Sequence, residues 1–292
     1  MSQLPPNLRA ALWMTGAVTG FVSMAFAGRK LGGTHDTFEI MAWRSLVGIA
    51  VVLSAAQIFG TLGHIRIRNM GLHTLRNISH FTGQNLWFAA LNLIPLAQLF
   101  AMEFSYPLWV ALLAPFVLGE RMTAARAVAV GLGFLGILIV TQPWAAGGLQ
   151  LGTLLAIGCA FGFAGSALAT KRLTTRAPLT EIMFWLSMMQ AVLGFTCALW
   201  DGHMRLPTAQ SMPYLALVGI AGLGAHACMT RALTIAPASV VAPIDFLRLP
   251  IVVILGWLVY EEAITLPVIL GGAVILLANW INIRSGRPAV IR

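Results

Sequence analysis

The chain has 292 residues, of which 59% are hydrophobic and only 9% charged, with a mean hydropathy of +0.85 and a net charge of +9. A soluble domain carries about 25% charged residues, so a water-facing globule is excluded and lipid is the expected solvent. The positive charge does not indicate nucleic acid, because most of the Lys and Arg residues sit in short segments between apolar runs rather than on one stripe.

A helix needs about 20 apolar residues to cross the hydrocarbon core. On that measure the sequence predicts an all-α membrane protein of ten spans, near residues 8–28, 38–60, 71–91, 95–117, 123–141, 150–170, 180–200, 212–234, 238–260 and 265–283. Pro, Gly and charge clusters punctuate them, among them Gly32-Gly33, Gly147-Gly148, Arg205-Leu206-Pro207 and Glu261-Glu262. Arg9 followed by an apolar stretch ending in Ala25-Phe26-Ala27 has the form of a cleaved leader. The repeat described next makes this first span part of the fold.

Sliding the chain along itself by 142 residues superposes Gly16, Gly20 and Phe21 on Gly158, Gly162 and Phe163. The basic pair Arg29-Lys30 falls on Lys171-Arg172, Glu39-Ile40-Met41 on Glu181-Ile182-Met183, and Trp43 on Trp185. Further along, Pro95 falls on Pro237, Glu103-Phe104 on Asp245-Phe246, and Glu120 on Glu262. One ungapped frame that aligns Trp, Glu and Pro is not a coincidence of Leu and Ala. The chain therefore reads as two five-helix units, residues 1–144 and 145–292. An odd number of crossings inverts the second unit relative to the first, an architecture associated with alternating access around a midplane site. With the N-terminus inside, eleven basic residues (Arg9, Arg66, Arg68, Arg121, Arg126, Lys171, Arg172, Arg176, Arg284, Arg287 and Arg292) collect on the inner side and three (Arg29, Lys30 and Arg205) on the outer. This predicts an inner-membrane protein with both termini in the cytoplasm.

An ionisable side chain at the bilayer centre is expensive and must face a cavity or a partner. Glu103 and Asp245 occupy equivalent places in the fourth and ninth spans. They are expected on two sides of a central site, where they bind a substrate ammonium, carry a coupling proton, or pair with Arg44 or Arg248. Asp245 and Arg248 stand three apart on one helix and can pair directly. Arg76, His80, Gln84 and Trp87 follow one another at steps of four, four and three, hence on one face of the third span. That face lines the cavity, with Trp87 as a stacking surface, or makes helix–helix hydrogen bonds; Arg76 can instead snorkel to the cytoplasmic end. His226 faces Gln84 across the repeat and is a candidate proton carrier. Arg44 stands where the other repeat has Leu186, so it serves one half only, opposite Glu103 or a substrate carboxylate.

Glu120 and Glu262, at opposite membrane faces, act as gate latches or simply end their helices. Glu39 and Glu181 suit helix N-termini. Thr15, Thr19 and Ser23 are assigned to packing, and the Gly16-x-x-x-Gly20 and Gly158-x-x-x-Gly162 motifs to the scaffold. Cys159, Cys197 and Cys228 have no metal-ligand spacing and read as packing residues; no metal or cofactor is expected.

The stretch Leu93-Ile94-Pro95-Leu96-Ala97, then Tyr106-Pro107-Leu108-Trp109, closing on Leu118-Gly119-Glu120-Arg121, resembles the fourth helix of EamA-type transporters of the drug/metabolite transporter superfamily. Ile235-Ala236-Pro237 through Tyr260-Glu261-Glu262 resembles their ninth helix, although Tyr260-Glu261 replaces Leu118-Gly119. The resemblance covers nearly the whole chain and implies transport of a small molecule across the bilayer, in a family that includes amino-acid exporters and importers of vitamins, nucleotides and S-adenosylmethionine. An amino acid or related zwitterion is the first expectation, with Tyr106 among the binding residues. A flat heteroaromatic such as riboflavin or S-adenosylmethionine is the alternative, motivated by Trp43, Trp87, Phe88, Phe104, Tyr106 and Trp109. A passive channel or scramblase belongs to another class. An intramembrane enzyme finds no support, because no His-Glu-x-x-His, Gly-x-Ser-x-Gly or closely spaced acid pair within one span is present.

Overall fold

The structure is a computed structural model that describes residues 4–119, 122–145, 148–236 and 238–285. Glu120, Arg121, Gly147, Pro237, Arg287 and Arg292, which the sequence singled out, lie outside the described residues. Among the described residues the fold is entirely helical: α1 (Pro6–Leu31), α2 (Thr37–Ile58), α3 (Met70–Leu91), α4 (Leu96–Glu103), α5 (Tyr106–Leu118), α6 (Ala124–Thr141), α7 (Leu151–Leu173), α8 (Leu179–Ala198), α9 (Met212–Ile235), α10 (Ala238–Asp245), α11 (Arg248–Tyr260) and α12 (Leu266–Ser285), with a single 3₁₀ turn at Leu62–His64.

Among the described residues eight helical segments, with α4 and α5 taken together as Leu96–Leu118, are long and apolar enough to cross a membrane by length and composition. Two predicted spans are not among them, for different physical reasons. Helix α3 has the length but carries His73, Arg76, Asn77, His80, Gln84 and Asn85 on a buried face. In the region 238–260 the apolar helix is the shorter α11, Arg248–Tyr260.

The fourth and ninth spans, expected as continuous helices, are both interrupted. The first breaks at Phe104-Ser105 and the second at Phe246-Leu247. Proline explains each break: Pro107 and Pro250 have no N–H, and their rings clash with the carbonyls four residues earlier, those of Glu103 and Phe246. An unsatisfied carbonyl is costly where water is absent. Here Asn279 of α12 donates its Nδ2–H to the Phe104 carbonyl at 2.6 Å, and Asn282 donates to the Pro107 carbonyl at 3.4 Å.

The starts of α2, α3, α4, α5 and α6 at residues 37, 70, 96, 106 and 124 recur at 179, 212, 238, 248 and 266. Packing follows the same exchange. Helix α1 runs along α9 as α3 runs along α7, while α2 packs on α8 and α6 on α12. A Cβ on Gly20 would lie 2.7 Å from the Ala221 carbonyl, and one on Gly162 would lie 2.8 Å from Gly83 Cα. Both glycines therefore serve close contacts inside this chain. Thr15 bonds back to the Leu12 carbonyl of its own helix at 2.8 Å, in line with a packing role.

Local signals are also visible. Asp36 and Glu39 form a reciprocal capping box that starts α2. Helix α5 ends on Gly119 at φ 69°, a left-handed position where glycine has no steric cost. Helix α11 ends at the equivalent place on Glu261, also left-handed at φ 54°.

Candidate functional site

The broken helices aim four chemically active side chains at one region. Glu103 and Asp245 end α4 and α10; Tyr106 and Arg248 begin α5 and α11. Between them the structure encloses a cavity of about 560 Å³. Its wall includes Phe21 and Met24 of α1, Arg76, His80, Gln84 and Trp87 of α3, Phe100 and Glu103 of α4, Tyr106, Phe163 of α7, His226 and Met229 of α9, and Arg248.

Arg248 organises one side of this space. Its Nη1 donates to Glu103 Oε1 at 3.0 Å and its Nη2 to Asp245 Oδ2 at 2.8 Å, with all three side chains buried. The guanidinium carbon lies 4.5 Å from the Phe21 ring centroid and 4.9 Å from that of Phe104, within cation–π range. Trp87 donates its indole N–H to the second oxygen of Glu103 at 2.7 Å. Both carboxylates are thus held by one arginine, and the two acids do not flank an open site as expected. Asp245 stands behind Arg248, outside the cavity wall. Glu103 pairs with Arg248 and not with Arg44.

The α3 stripe lies where its spacing placed it. Arg76, His80, Gln84 and Trp87 all line the cavity and all are buried. Arg76 does not snorkel: it is 4% exposed and donates to Thr170 Oγ1 at 3.3 Å and Asn77 Oδ1 at 3.1 Å. Across the cavity His226 meets His80, with ring centroids 5.3 Å apart, and meets Phe21 edge-on at 5.1 Å; it does not bond Gln84. Arg44 lies outside the main cavity. It lines a small void of about 10 Å³ that shares His226 as a wall.

Of the aromatic residues expected to face a flat ligand, only Trp87 and Tyr106 do so. Trp43 packs edge-on to Phe195 and donates to the Arg205 carbonyl. Trp109 sits among Phe134 and Phe161. Phe88 and Phe104 are fully buried in the apolar core. The sequence reading missed Phe21, Phe100 and Phe163 as lining residues. The signal for two of them was present, because Phe21 and Phe163 occupy the same place in the two repeats.

The cavity is closed at one end and reaches the surface at the other. At its mouth stand Lys171, Thr174 and Thr234, all exposed. At the opposite end Glu262 forms an ion pair with Arg29 and accepts the Leu96 N–H at 2.8 Å, while Arg29 also donates to the Ile94 carbonyl at 2.8 Å. Tyr260 donates its hydroxyl to the Phe26 carbonyl at 3.2 Å. Beside this, Glu39 accepts the Arg205 N–H at 2.5 Å and bonds His35 at 3.1 Å, and His35 reaches Ser211 at 3.0 Å. These contacts tie the ends of α1, α3 and α11 and the starts of α2, α4 and α9 into one lid. Among the described residues no cluster of His, Cys, Asp or Glu has the geometry to hold a metal ion.

The profile of the EamA-like transporter family matches this chain twice, at residues 8–142 and 150–284. The chain belongs to the EamA-like transporter family. The family's members act in transport, and this protein is a multi-pass membrane transporter of small molecules, not an enzyme. A riboflavin transporter of Vibrio cholerae is 31% identical over 278 residues, covering 93% of this chain and 91% of that protein. A riboflavin transporter of Brucella anthropi is 30% identical over 262 residues, covering 88% and 91%. An S-adenosylmethionine uptake transporter of Rickettsia bellii is 24% identical, covering 90% and 89%. A solved crystal structure has the same fold, with a TM-score of 0.65 over 93% of this chain and 95% of its own, at 20% identity.

Proposed function

We propose that this protein carries a flat heteroaromatic metabolite of the riboflavin type across the bacterial inner membrane by alternating access. The observation that carries the reading is the cavity of about 560 Å³, deep among the helices and walled by Trp87, Phe21, Phe100, Phe163 and Tyr106. That size lies within the range of pockets that engulf a small organic ligand. Aromatic walls suit a planar ring. Relatives named for riboflavin and S-adenosylmethionine transport support the same class. The amino-acid reading is weaker on physical grounds: Glu103, the acid that lines the cavity, is bonded on both oxygens by Arg248 and Trp87, while Asp245 pairs with Arg248 outside the wall.

In this reading the chain makes ten crossings as two inverted five-helix units, residues 1–144 and 145–292, with α4–α5 and α10–α11 as interrupted spans. The excess of basic residues near the mouth supports a cytoplasmic position for that end and for both termini. The conformation is then inward-facing, with Arg29–Glu262 as the outer latch. In the same reading Glu120, the equivalent of Glu262 at the 142-residue offset in the sequence, is the inner counterpart. Glu103, Asp245 and Arg248 form the coupling element: a proton on Glu103 would release one of the two carboxylates that hold Arg248, linking proton movement to the wall of the site.

The test is flux in proteoliposomes. Saturable riboflavin uptake that is accelerated by unlabelled riboflavin on the far side supports a carrier for this class. Uptake without trans-stimulation points to a channel, and absence of both binding and uptake rejects the substrate class.

A further inference from the structure

The two walls of the cavity are unlike in charge. On one side Arg248 is matched by Glu103 and Asp245. On the other, Arg44 and Arg76 are buried at 7% and 4% exposure, and among the described residues neither hydrogen-bonds nor ion-pairs with a carboxylate. Arg76 has only the neutral oxygens of Thr170 and Asn77, and Arg44 Nη1 is buried without a partner. A buried cation without a counter-charge is strongly unfavourable.

The side chains beside these two arginines have spare donors. His80 and Gln84 line the cavity one and two turns along α3 from Arg76, and each has a buried Nε2 without a partner, a donor in Gln84 and in one neutral tautomer of His80. Arg44 adds charge from just behind the wall. A Cβ on Gly222 would lie 3.8 Å from Arg44 Nη1 and 3.0 Å from Sδ of Met24, which lines the cavity. Arginine and amide N–H groups on one helical face are a donor set for an oxyanion.

We infer that the transported molecule carries an anionic group, a phosphate or carboxylate, that docks on Arg76, His80 and Gln84 with Arg44 supplying charge behind them. The inference rests on the cavity being the transport site and sharpens the substrate class to an anionic heteroaromatic. Geometry along the helix agrees. Seven residues from His80 to Trp87 span about 10 Å at the helical rise, so a ring stacked at Trp87 would place an anionic tail of about that length on the donors.

Binding of riboflavin, riboflavin 5′-phosphate and inorganic phosphate to the purified full chain in a chloride-free buffer tests this. The two flavins share ring and chain and differ in the phosphate. The wild type is expected to bind the phosphorylated flavin about tenfold tighter, inorganic phosphate competing with it and not with riboflavin. Arg76→Gln should bring the ratio near one, and Arg76→Lys should keep most of it. Arg44→Leu, which installs the residue type that the other repeat has at Leu186, should lower the ratio. Each ratio is taken within one variant, so loss of folded material does not mimic the result.

Equal affinities in the wild type, or a ratio unchanged in Arg76→Gln, would overturn the anion site. If neither flavin binds while inorganic phosphate raises the Tm of wild type and not of Arg76→Gln, the anion site stands and the flavin-type reading fails.

Discussion

Replacing Glu262 by Gln tests whether the contacts opposite the cavity mouth form a gate. The carboxylate receives Arg29 on one oxygen and the Leu96 N–H on the other. The two side chains are 14–15% exposed, so the pair is largely but not wholly desolvated. Removing one partner of a fully buried pair costs about 3–5 kcal/mol, whereas exposed pairs are worth about 0–1 kcal/mol. Glutamine keeps an acceptor for Leu96, so an intermediate loss of about 2 kcal/mol is expected. At 1.36 kcal/mol per factor of ten, that is a shift of about 30-fold in the ratio of closed to open states. The loss falls on the closed state alone, since opening separates the groups anyway. Met24→Cys, in a background with Cys159, Cys197 and Cys228 replaced, places a thiol on the cavity wall. A membrane-impermeant thiol reagent applied from the side opposite the mouth should label it up to about 30-fold faster in Glu262→Gln. An unchanged rate, with the protein still folded, would mean that the pair merely ends a helix and that the gate lies elsewhere.

Four further outcomes are expected. Glu103→Gln should retain exchange of substrate across proteoliposomes and lose its response to an imposed pH gradient; a response equal to wild type would remove Glu103 from coupling. Trp87→Phe leaves a buried carboxylate oxygen of Glu103 without its donor and should cost about 1–3 kcal/mol, read as a lower unfolding temperature together with weaker ligand binding. Gly136→Leu should destabilise by about 1–3 kcal/mol, because a Cβ there would stand 2.9 Å from the Gly271 carbonyl at the crossing of α6 and α12. Glu261→Gly should stabilise by about 1 kcal/mol, since the left-handed cap of α11 then has the residue type that the equivalent cap of α5 already has.

The lipid solvent, the helical class and the 142-residue frame were legible in the sequence because each is written in patterns of one variable, hydropathy or identity at a fixed offset. The α3 stripe was legible for the same reason: a helical period alone puts Arg76, His80, Gln84 and Trp87 on one face. Interruption of the fourth and ninth spans was not read, although Pro107 and Pro250 were in view. Proline in a membrane helix permits a kink, a break or neither, and at the fourth span the freed carbonyls are met by Asn279 and Asn282, which arrive from a helix far along the chain. Partner choice was equally hidden. Glu103 had two arginines as candidates, and the distance that selects Arg248 over Arg44 exists only after the two broken helices meet.

The repeat carries one more lesson about where chemistry sits. Several residues that match at the 142-residue offset serve the frame: Gly20 and Gly162 both mark close helix contacts, and Trp43 and Trp185 each donate an indole N–H to a loop carbonyl, those of Arg205 and Arg66. Around the cavity five pairs of equivalent positions both line the wall, and only Phe21 and Phe163 match. Gln84 stands opposite His226, Trp87 opposite Met229, Met24 opposite Ser166, and Tyr106 opposite Arg248. A symmetric scaffold can rock between two equivalent states, whereas an asymmetric ligand needs unlike walls. The mismatched pairs are therefore where selectivity is expected to reside. Arg44 against Leu186 belongs with them even though it stands behind the wall, because it shares His226 with the cavity and is the charge that the proposed anion site draws on.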